Sequence, residues 1–197
     1  PREFDTDSAL ESAMQLFWSQ GYEATSLDEL CAATGLSRSS LYAAFGSKSN
    51  LLVQTVARYS KQRTPGIEAV LAQQIPVREA FADLAARFID AIVAGPGRRG
   101  CYLGNCAAEL PRSNRAAMTQ VREGMAGTVA MFSEPLRRAQ TRGELAPGAD
   151  VAALARYLTA AFQGLRLMGK VNPDRATLTD IAHTMLQCLG EPTKSSS

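Results

Sequence analysis

The sequence predicts an all-α protein, and three observations carry that expectation. Apolar residues recur at i, i+3, i+4 and i+7 through most of the 197 residues. Period-two alternation rich in β-branched residues is missing. Serine, asparagine and aspartate stand where the stripes begin, and glycine where several of them end, as helix caps do.

The first helix runs from about 7 to 20, with Leu10, Ala13, Met14 and Phe17 as its stripe and Gly21 ending it. Ser26 and Glu29 form an S-x-x-E capping box that opens a second helix. Gly35 supplies a turn, because glycine takes a left-handed backbone without a Cβ penalty. Ser37 N-caps a short third helix, and Ser47 a fourth that carries Leu51, Leu52, Val56 and Tyr59. Thr64-Pro65-Gly66 breaks the pattern and is read as a domain boundary, giving domains 1–63 and 64–197.

A short helix is expected over about 67–73. A better one opens at Pro76, with Phe81, Leu84, Ala85, Phe88 and Ile92 on one face. Gly95-Pro96-Gly97 reads as a loop, and 105–110 as a brief helix with Asn105 as N-cap. The segment 113–142 reads as one long helix with Met118, Val121, Met125, Val129, Phe132 and Leu136, kinked at Pro135. A connector over 143–148 leads to Asp150, which caps a helix carrying Val151, Leu154, Leu158, Phe162 and Leu165. Asn172-Pro173 reads as N-cap and first-turn proline of the last helix, with Leu178, Ile181, Met185 and Leu189. Ser195-Ser196-Ser197 is expected to be disordered.

Composition narrows the class. Hydrophobic residues make up 46% of the chain, enough for a real core, yet no apolar run is long enough to cross a membrane. No basic-then-apolar leader opens the chain, so the cytoplasm is the expected compartment, and Pro1 suggests trimmed or omitted first residues. Four scattered cysteines, Cys31, Cys101, Cys106 and Cys188, are expected to stay reduced there. The net charge of +2 says little, but its distribution is uneven. Residues 3–29 hold Glu3, Asp5, Asp7, Glu11, Glu23, Asp28 and Glu29 and no base. Residues 30–67 hold Arg38, Lys48, Arg58, Lys61 and Arg63 and no acid. Such a switch suits a surface that meets phosphates.

No Gly-rich phosphate loop, G-x-S-x-G elbow, H-E-x-x-H helix or paired-carboxylate setting stands out, so an enzyme is not expected. No cofactor and no metal are expected either. Cys101-x4-Cys106 lacks a second ligand pair, and the single histidine, His183, is far away in sequence.

The stretch 25–48 has the layout of a helix-turn-helix, whose second helix enters the DNA major groove. Leu30, Leu36, Leu41 and Phe45 are spaced to face inward with Phe17. The outward face of the third helix then holds Arg38, Ser39, Ser40 and Tyr42, with the capping Ser37 a further candidate for DNA contact. Arg38 suits guanine O6 and N7, and Ser39 and Ser40 suit bases or phosphates. Tyr42 offers a phenol to a phosphate, unless it is a core aromatic. Thr25 and Ser26, with the second helix's N-terminal amides, suit another phosphate, and Lys48 a third. Ser37 is at least a cap.

These segments resemble the N-terminal domain of TetR-family transcriptional regulators. The residues that carry the resemblance are Gly21-Tyr22-Glu23-Ala24-Thr25-Ser26, Ala32-Ala33-Thr34-Gly35-Leu36-Ser37 and Leu41-Tyr42-Ala43-Ala44-Phe45-Gly46-Ser47-Lys48-Ser49-Asn50-Leu51, within roughly 7–63. The resemblance implies a three-helix DNA-binding domain and a larger helical ligand-binding and dimerisation domain. It implies a homodimer that represses transcription at a palindromic double-stranded operator through a recognition helix at about 37–45. Effector binding would move the two reading helices off the groove spacing of roughly 34–36 Å that they must match. A protein-interaction module on a degenerate helix-turn-helix is the alternative.

The second half resembles the family more weakly, at Gly143-Glu144-Leu145, Asp150 and Gln163-Gly164-Leu165-Arg166. The resemblance implies a dimer interface on the last two large helices, for which Leu154, Leu158, Phe162, Leu165, Ile181 and Met185 are candidates. The same stripe serves equally as a core. Gly164 would allow close helix approach. Phe81, Phe88, Tyr102, Met118, Met125, Phe132 and Phe162 are candidates to line a small-molecule pocket, or simply to fill a core. Gly100-Cys101 to Cys106 resembles a region in electrophile- and oxidant-sensing members. With Asn105 as N-cap, Cys106 would lie in a first helical turn near Arg98 and Arg99, where a thiolate is favoured. Cys101 and Cys106 are therefore candidate sensors of an electrophile or oxidant, or buried apolar residues.

Overall fold

The computed structural model describes residues 5–111 and 113–190. The Ser195–197 expectation lies outside them. Among the described residues every regular element is helical. The elements are α1 (Thr6–Gln20), α2 (Leu27–Thr34), α3 (Arg38–Phe45), α4 (Lys48–Leu71), α5 (Val77–Ala94), α6 (Tyr102–Glu109), α7 (Arg115–Thr141), α8 (Val151–Val171) and α9 (Arg175–Met185). Short 3-10 turns lie at Pro96–Arg99 and Leu186–Leu189. The chain forms two compact units. Of the described residues, one unit holds those up to Arg63 together with those of Tyr102–Gly124; the other holds Thr64–Cys101 and those from Met125 onward.

In the first unit α1 packs on α2 and α2 on α3. Met14, Phe17, Leu30, Leu36, Leu41, Phe45, Leu51, Leu52, Val56 and Tyr59 are all buried, as their spacing predicts. Each large apolar side chain contributes about 1.5–3 kcal/mol through burial. Residues 102–124 join this unit through polar contacts. The Tyr102 hydroxyl lies 2.8 Å from the Thr55 hydroxyl, and Ser49 Oγ donates to Asn114 Oδ1 at 3.2 Å.

The second unit has one apolar core. Phe81, Leu84, Ile89 and Ile92 of α5 meet Phe132 and Leu136 of α7, Leu158, Phe162 and Leu165 of α8, and Leu178 and Met185 of α9. Close approach of α5 and α8 occurs at Gly169, where a Cβ would come within 2.7 Å of the Ile92 side chain. Gly164 is exposed, and a Cβ there would meet nothing within 4 Å.

Several sequence expectations need correction. Thr64-Pro65-Gly66 does not end the helix; α4 runs through it, absorbing the helix expected over 67–73. Burial of Ile67, Val70 and Leu71 beyond the proline outweighs the lost hydrogen bond. Gly95-Pro96-Gly97 is not an open loop but leads into the Pro96–Arg99 turn. Asn105 is not an N-cap. Tyr102 and Leu103 are fully buried, and their packing starts α6 nearly a turn earlier. Cys106 is therefore mid-helix, away from the N-terminal amides. Asn172 ends α8, its N–H still bonded to the Met168 carbonyl. Asp174 is the N-cap of α9, accepting from Thr177 N–H at 2.8 Å. The residues that the sequence leaves open between interface and core are placed without a correction: Leu158, Phe162, Leu165 and Met185 lie in this chain's own core, with Leu154 and Ile181 packed half-buried against it.

Candidate nucleic-acid interface

The reading head is set by three caps and one turn. Ser26 Oγ accepts from Glu29 N–H at 3.2 Å, and Glu29 Oε2 accepts from Ser26 N–H at 2.7 Å. The Ser26 N–H and hydroxyl hold the Glu29 carboxyl below the ordinary carboxylate range, so it stays ionised at the positive end of α2. Gly35 turns the chain at φ +70 with open space where a Cβ would sit, so its backbone, not crowding, requires glycine. Ser37 Oγ accepts from Ser40 N–H at 3.1 Å and starts α3. Ser47 Oγ accepts from Asn50 N–H at 3.0 Å and starts α4.

Leu41 and Phe45, four residues apart and fully buried, fix the rotation of α3. Arg38, Ser39, Tyr42 and Ala43 are consequently exposed on its other side, with Ser40 half-exposed. Tyr42 is 43% exposed, which a core aromatic would not be. The Ser37 hydroxyl lies 2.9 Å from those of Ser39 and Ser40, a cluster of donors at the start of the helix. Lys48 Nζ sits 4.4 Å from the Tyr22 ring centroid, a cation–π contact that steadies the charge at the head of α4.

Two placements differ from the expectation. Thr25 is buried, and its hydroxyl donates to the Gly21 carbonyl at 2.5 Å. It therefore shapes the turn between α1 and α2 rather than offering its side chain outward. Arg38 does not project alone. Its Nε and Nη2 donate to Asp28 Oδ1 at 3.1 and 2.8 Å, and Asp28 raises the guanidinium's already high pKa.

Asp28 was missed by sequence reasoning, and so was Glu109. Glu109 Oε1 accepts from Glu23 N–H at 2.7 Å, and a Cβ on Gly21 (φ +89) would come within 2.8 Å of both carboxylate oxygens. The bareness of Gly21 thus admits a carboxylate from α6 beside the turn that leads into α2. Neither pairing has a sequence signal, because each joins residues without any fixed periodic spacing.

The candidate effector residues separate into two groups. Phe81, Phe88, Phe132 and Phe162 form one aromatic cluster in the second unit, with Phe81–Phe132 centroids 5.1 Å apart and Phe132–Phe162 5.5 Å. Met125 belongs to that unit, its sulfur accepting from Gln163 Nε2 at 3.6 Å. Tyr102 belongs to the first unit, packed 5.6 Å from Tyr59 and 6.0 Å from Trp18. Burial, with a smaller contribution from Cys106, pushes its phenol far above the ordinary range. Met118 is half-buried in the same unit, and Cys101 and Cys106 are both buried. All four cysteines carry thiols rather than disulfides. A hollow of about 230 Å³ in the second unit is lined by Glu68, Leu71, Ala72, Met131, Glu134, Pro135 and Arg138, none of them on the candidate list. Among the described residues no cluster of His, Cys, Asp or Glu suits a metal, and no helix is long and apolar enough to cross a membrane.

Comparison with known proteins accounts for this arrangement. Residues 9–55 match the family described as bacterial regulatory proteins, tetR family, and residues 79–185 match the tetracyclin repressor-like C-terminal domain. The HTH-type transcriptional repressor ComR of Escherichia coli (strain K12) is 34% identical over 196 residues, covering 98% of this chain and 93% of its own. The HTH-type transcriptional regulator YezE of Bacillus subtilis (strain 168) is 32% identical over 190 residues, covering 95% and 97%. Among solved structures, the TetR-family regulator CifR, as a cysteine mutant complexed with 26bp double-strand operator DNA, has a TM-score of 0.85 at 30% identity, covering 95% and 97%. With an N-terminal reading head and a C-terminal domain of this kind matched in order along the chain, the protein belongs to the TetR family of transcriptional regulators, which bind DNA and are not enzymes.

Proposed function

We propose that this chain is a repressor that binds a palindromic operator as a homodimer and releases it when an effector binds. Residues 1–63 form the DNA-binding domain in this reading, and 64–197 the effector-binding and dimerisation domain, working in the cytoplasm. The observation that carries it is the face of α3, where Arg38, Ser39 and Tyr42 stand exposed over a buried Leu41–Phe45 seam. Arg38 reads a guanine, Ser39 and Ser40 approach bases or phosphates, and Ser37, Tyr42, Lys48 and Ser26 with the α2 amides hold the phosphate backbone. Thr25 contributes through the turn it shapes.

Dimerisation is supported by α8. Tyr157, Leu167, Met168 and Val171 are exposed large apolar residues on it, and Gly164 lies between them. Their spacing of three, four and seven marks one helical face, opposite the face buried in the core. The effector is proposed to be a small apolar molecule or an electrophile. The first draws support from the Phe81–Phe88–Phe132–Phe162 cluster and the second from the Cys101 and Cys106 thiols.

The test is a titration of a duplex taken from upstream of the chain's own gene, followed by gel shift at several salt concentrations. We expect sequence-selective binding that weakens about linearly in log–log form with salt. Binding with neither salt dependence nor sequence preference would rule the reading out. Cys101→Ser and Cys106→Ser then separate the two effector classes, since an electrophile that still releases both single variants and the double does not act through these thiols.

A further inference from the structure

Arg38 is the only basic residue of α3, and how its guanidinium is held determines what it can read. A guanidinium has two edges suited to bidentate contact: a side edge made by Nε and Nη2, and an end edge made by Nη1 and Nη2. Asp28 Oδ1 occupies the side edge, accepting from Nε at 3.1 Å and Nη2 at 2.8 Å. One Nη1 hydrogen and the second Nη2 hydrogen remain for the end edge, which suits guanine O6 and N7. Asp28 belongs to the first turn of α2 and Arg38 is the first residue of α3, so the pair bridges the turn at Gly35. Both side chains are well exposed, at 61% for Arg38 and 77% for Asp28.

Resting on the regulator reading above, we infer that Asp28 is a specificity-determining residue: it buttresses Arg38 so that its end edge faces a guanine. It acts in two ways. Holding the side edge restricts a long, flexible side chain to the orientation that base reading needs. Its negative charge also discourages Arg38 from settling on any nearby phosphate, which carries no sequence information. A carboxylate beside the reading cation thus lowers affinity for random DNA while sharpening the choice among sequences. An isolated ion pair this exposed contributes little to stability, so a role in folding does not account for it.

The experiment uses the full chain and an operator selected by the wild-type protein from a random duplex pool. Affinity for that operator and for a scrambled duplex is measured for wild type, Asp28→Asn, Asp28→Glu, Arg38→Ala and the double variant Asp28→Asn/Arg38→Ala. Circular dichroism melts accompany each to register any loss of folding. We expect Asp28→Asn to bind scrambled DNA several-fold tighter and to lose roughly ten-fold or more of the operator-to-scrambled ratio. Asp28→Glu, which keeps the charge and can reach Arg38, should recover much of that ratio. Arg38→Ala should lose it as well, and the double variant should lose no more than Arg38→Ala alone, because the two residues act as one unit. Replacing the operator guanines one at a time with 7-deazaguanine should weaken wild type at one position and leave Arg38→Ala indifferent there. If wild type selects no operator, the regulator reading itself has failed. If it selects one and Asp28→Asn keeps the wild-type ratio, or tightens both duplexes equally, the buttress is overturned. Equal loss on both duplexes with a lowered melt would likewise overturn it, by making Asp28 structural.

Discussion

Glu11 shows how a single carboxylate ties the reading head to the helix behind it. Its oxygens accept from Arg58 Nε at 2.9 Å, Gln62 Nε2 at 2.7 Å and Gln15 Nε2 at 2.6 Å, so α1 is joined to α4 within one unit. Burial alone would raise its pKa, but the hydrogen bonds from Arg58, Gln15 and Gln62 and the charge of Arg58 more than offset that and lower it below 4.5. A carboxyl lowered on folding stabilises the fold above its unfolded pKa and loses that contribution as pH falls through the folded value. Glu11→Gln is therefore expected to cost roughly 1 kcal/mol near neutrality, kept small by solvent screening, and progressively less on acidification below about pH 4.5. Urea melts of the two proteins from pH 7 to pH 3 measure this. A difference that stays constant across the range would mean that the pair contributes by packing rather than by charge.

Pro65 is the element-scale counterpart. It stands exposed inside α4, lacks the N–H that would reach the Lys61 carbonyl, and yet does not end the helix. Pro65→Ala restores that hydrogen bond and removes the ring, so thermal stability should rise, by at most about 3 kcal/mol. A lowered melting temperature would show that the proline is accommodated by a bend that the packing requires. The same position marks where the sequence was legible and where it was not. Caps at Ser26, Ser37 and Ser47 and the turn at Gly35 were readable because each is a local hydrogen bond or a local backbone angle. The all-helical class and the buried Leu41–Phe45 seam were readable because helical periodicity sorts faces. Pro65 and Asn105 depart from the local signal because neighbouring burial overrides it, that of Ile67, Val70 and Leu71 in one case and of Tyr102 and Leu103 in the other, and Asn172 departs because Asp174 two residues on makes the cap instead. At the candidate site the exposed serines and Tyr42 followed from spacing. The Asp28 and Glu109 contacts did not, since side chains meeting across a turn, or across scores of residues of sequence, leave no periodic trace.

At the scale of the whole molecule, the decisive distinction is between the two faces of α8. Leu158, Phe162 and Leu165, which the sequence leaves open between a partner and the core, lie in this chain's own core. The face that remains is carried by Tyr157, Leu167, Met168 and Val171, with Leu167 60% and Val171 75% exposed. Exposed single apolar residues are ordinary, but a stripe of them on one helix marks a surface that water does not favour. The two faces therefore make opposite predictions. Leu158→Ala leaves a cavity in the second unit and should cost about 2–5 kcal/mol of stability, whatever the state of assembly. Leu167→Glu adds a charge to a surface already in water, so the isolated chain should melt almost unchanged. If that face pairs with a second copy, the added carboxylates face each other across the seam, and sedimentation should report a shift from dimer to monomer. Operator affinity should fall with it. Two half-sites bound by linked heads gain an effective concentration that one head lacks, and losing it weakens binding by orders of magnitude without touching a base contact. A Leu167→Glu protein that sediments as wild type and keeps its operator affinity would move the interface off α8. A monomer that still grips the full operator as tightly as wild type would show that one reading head suffices.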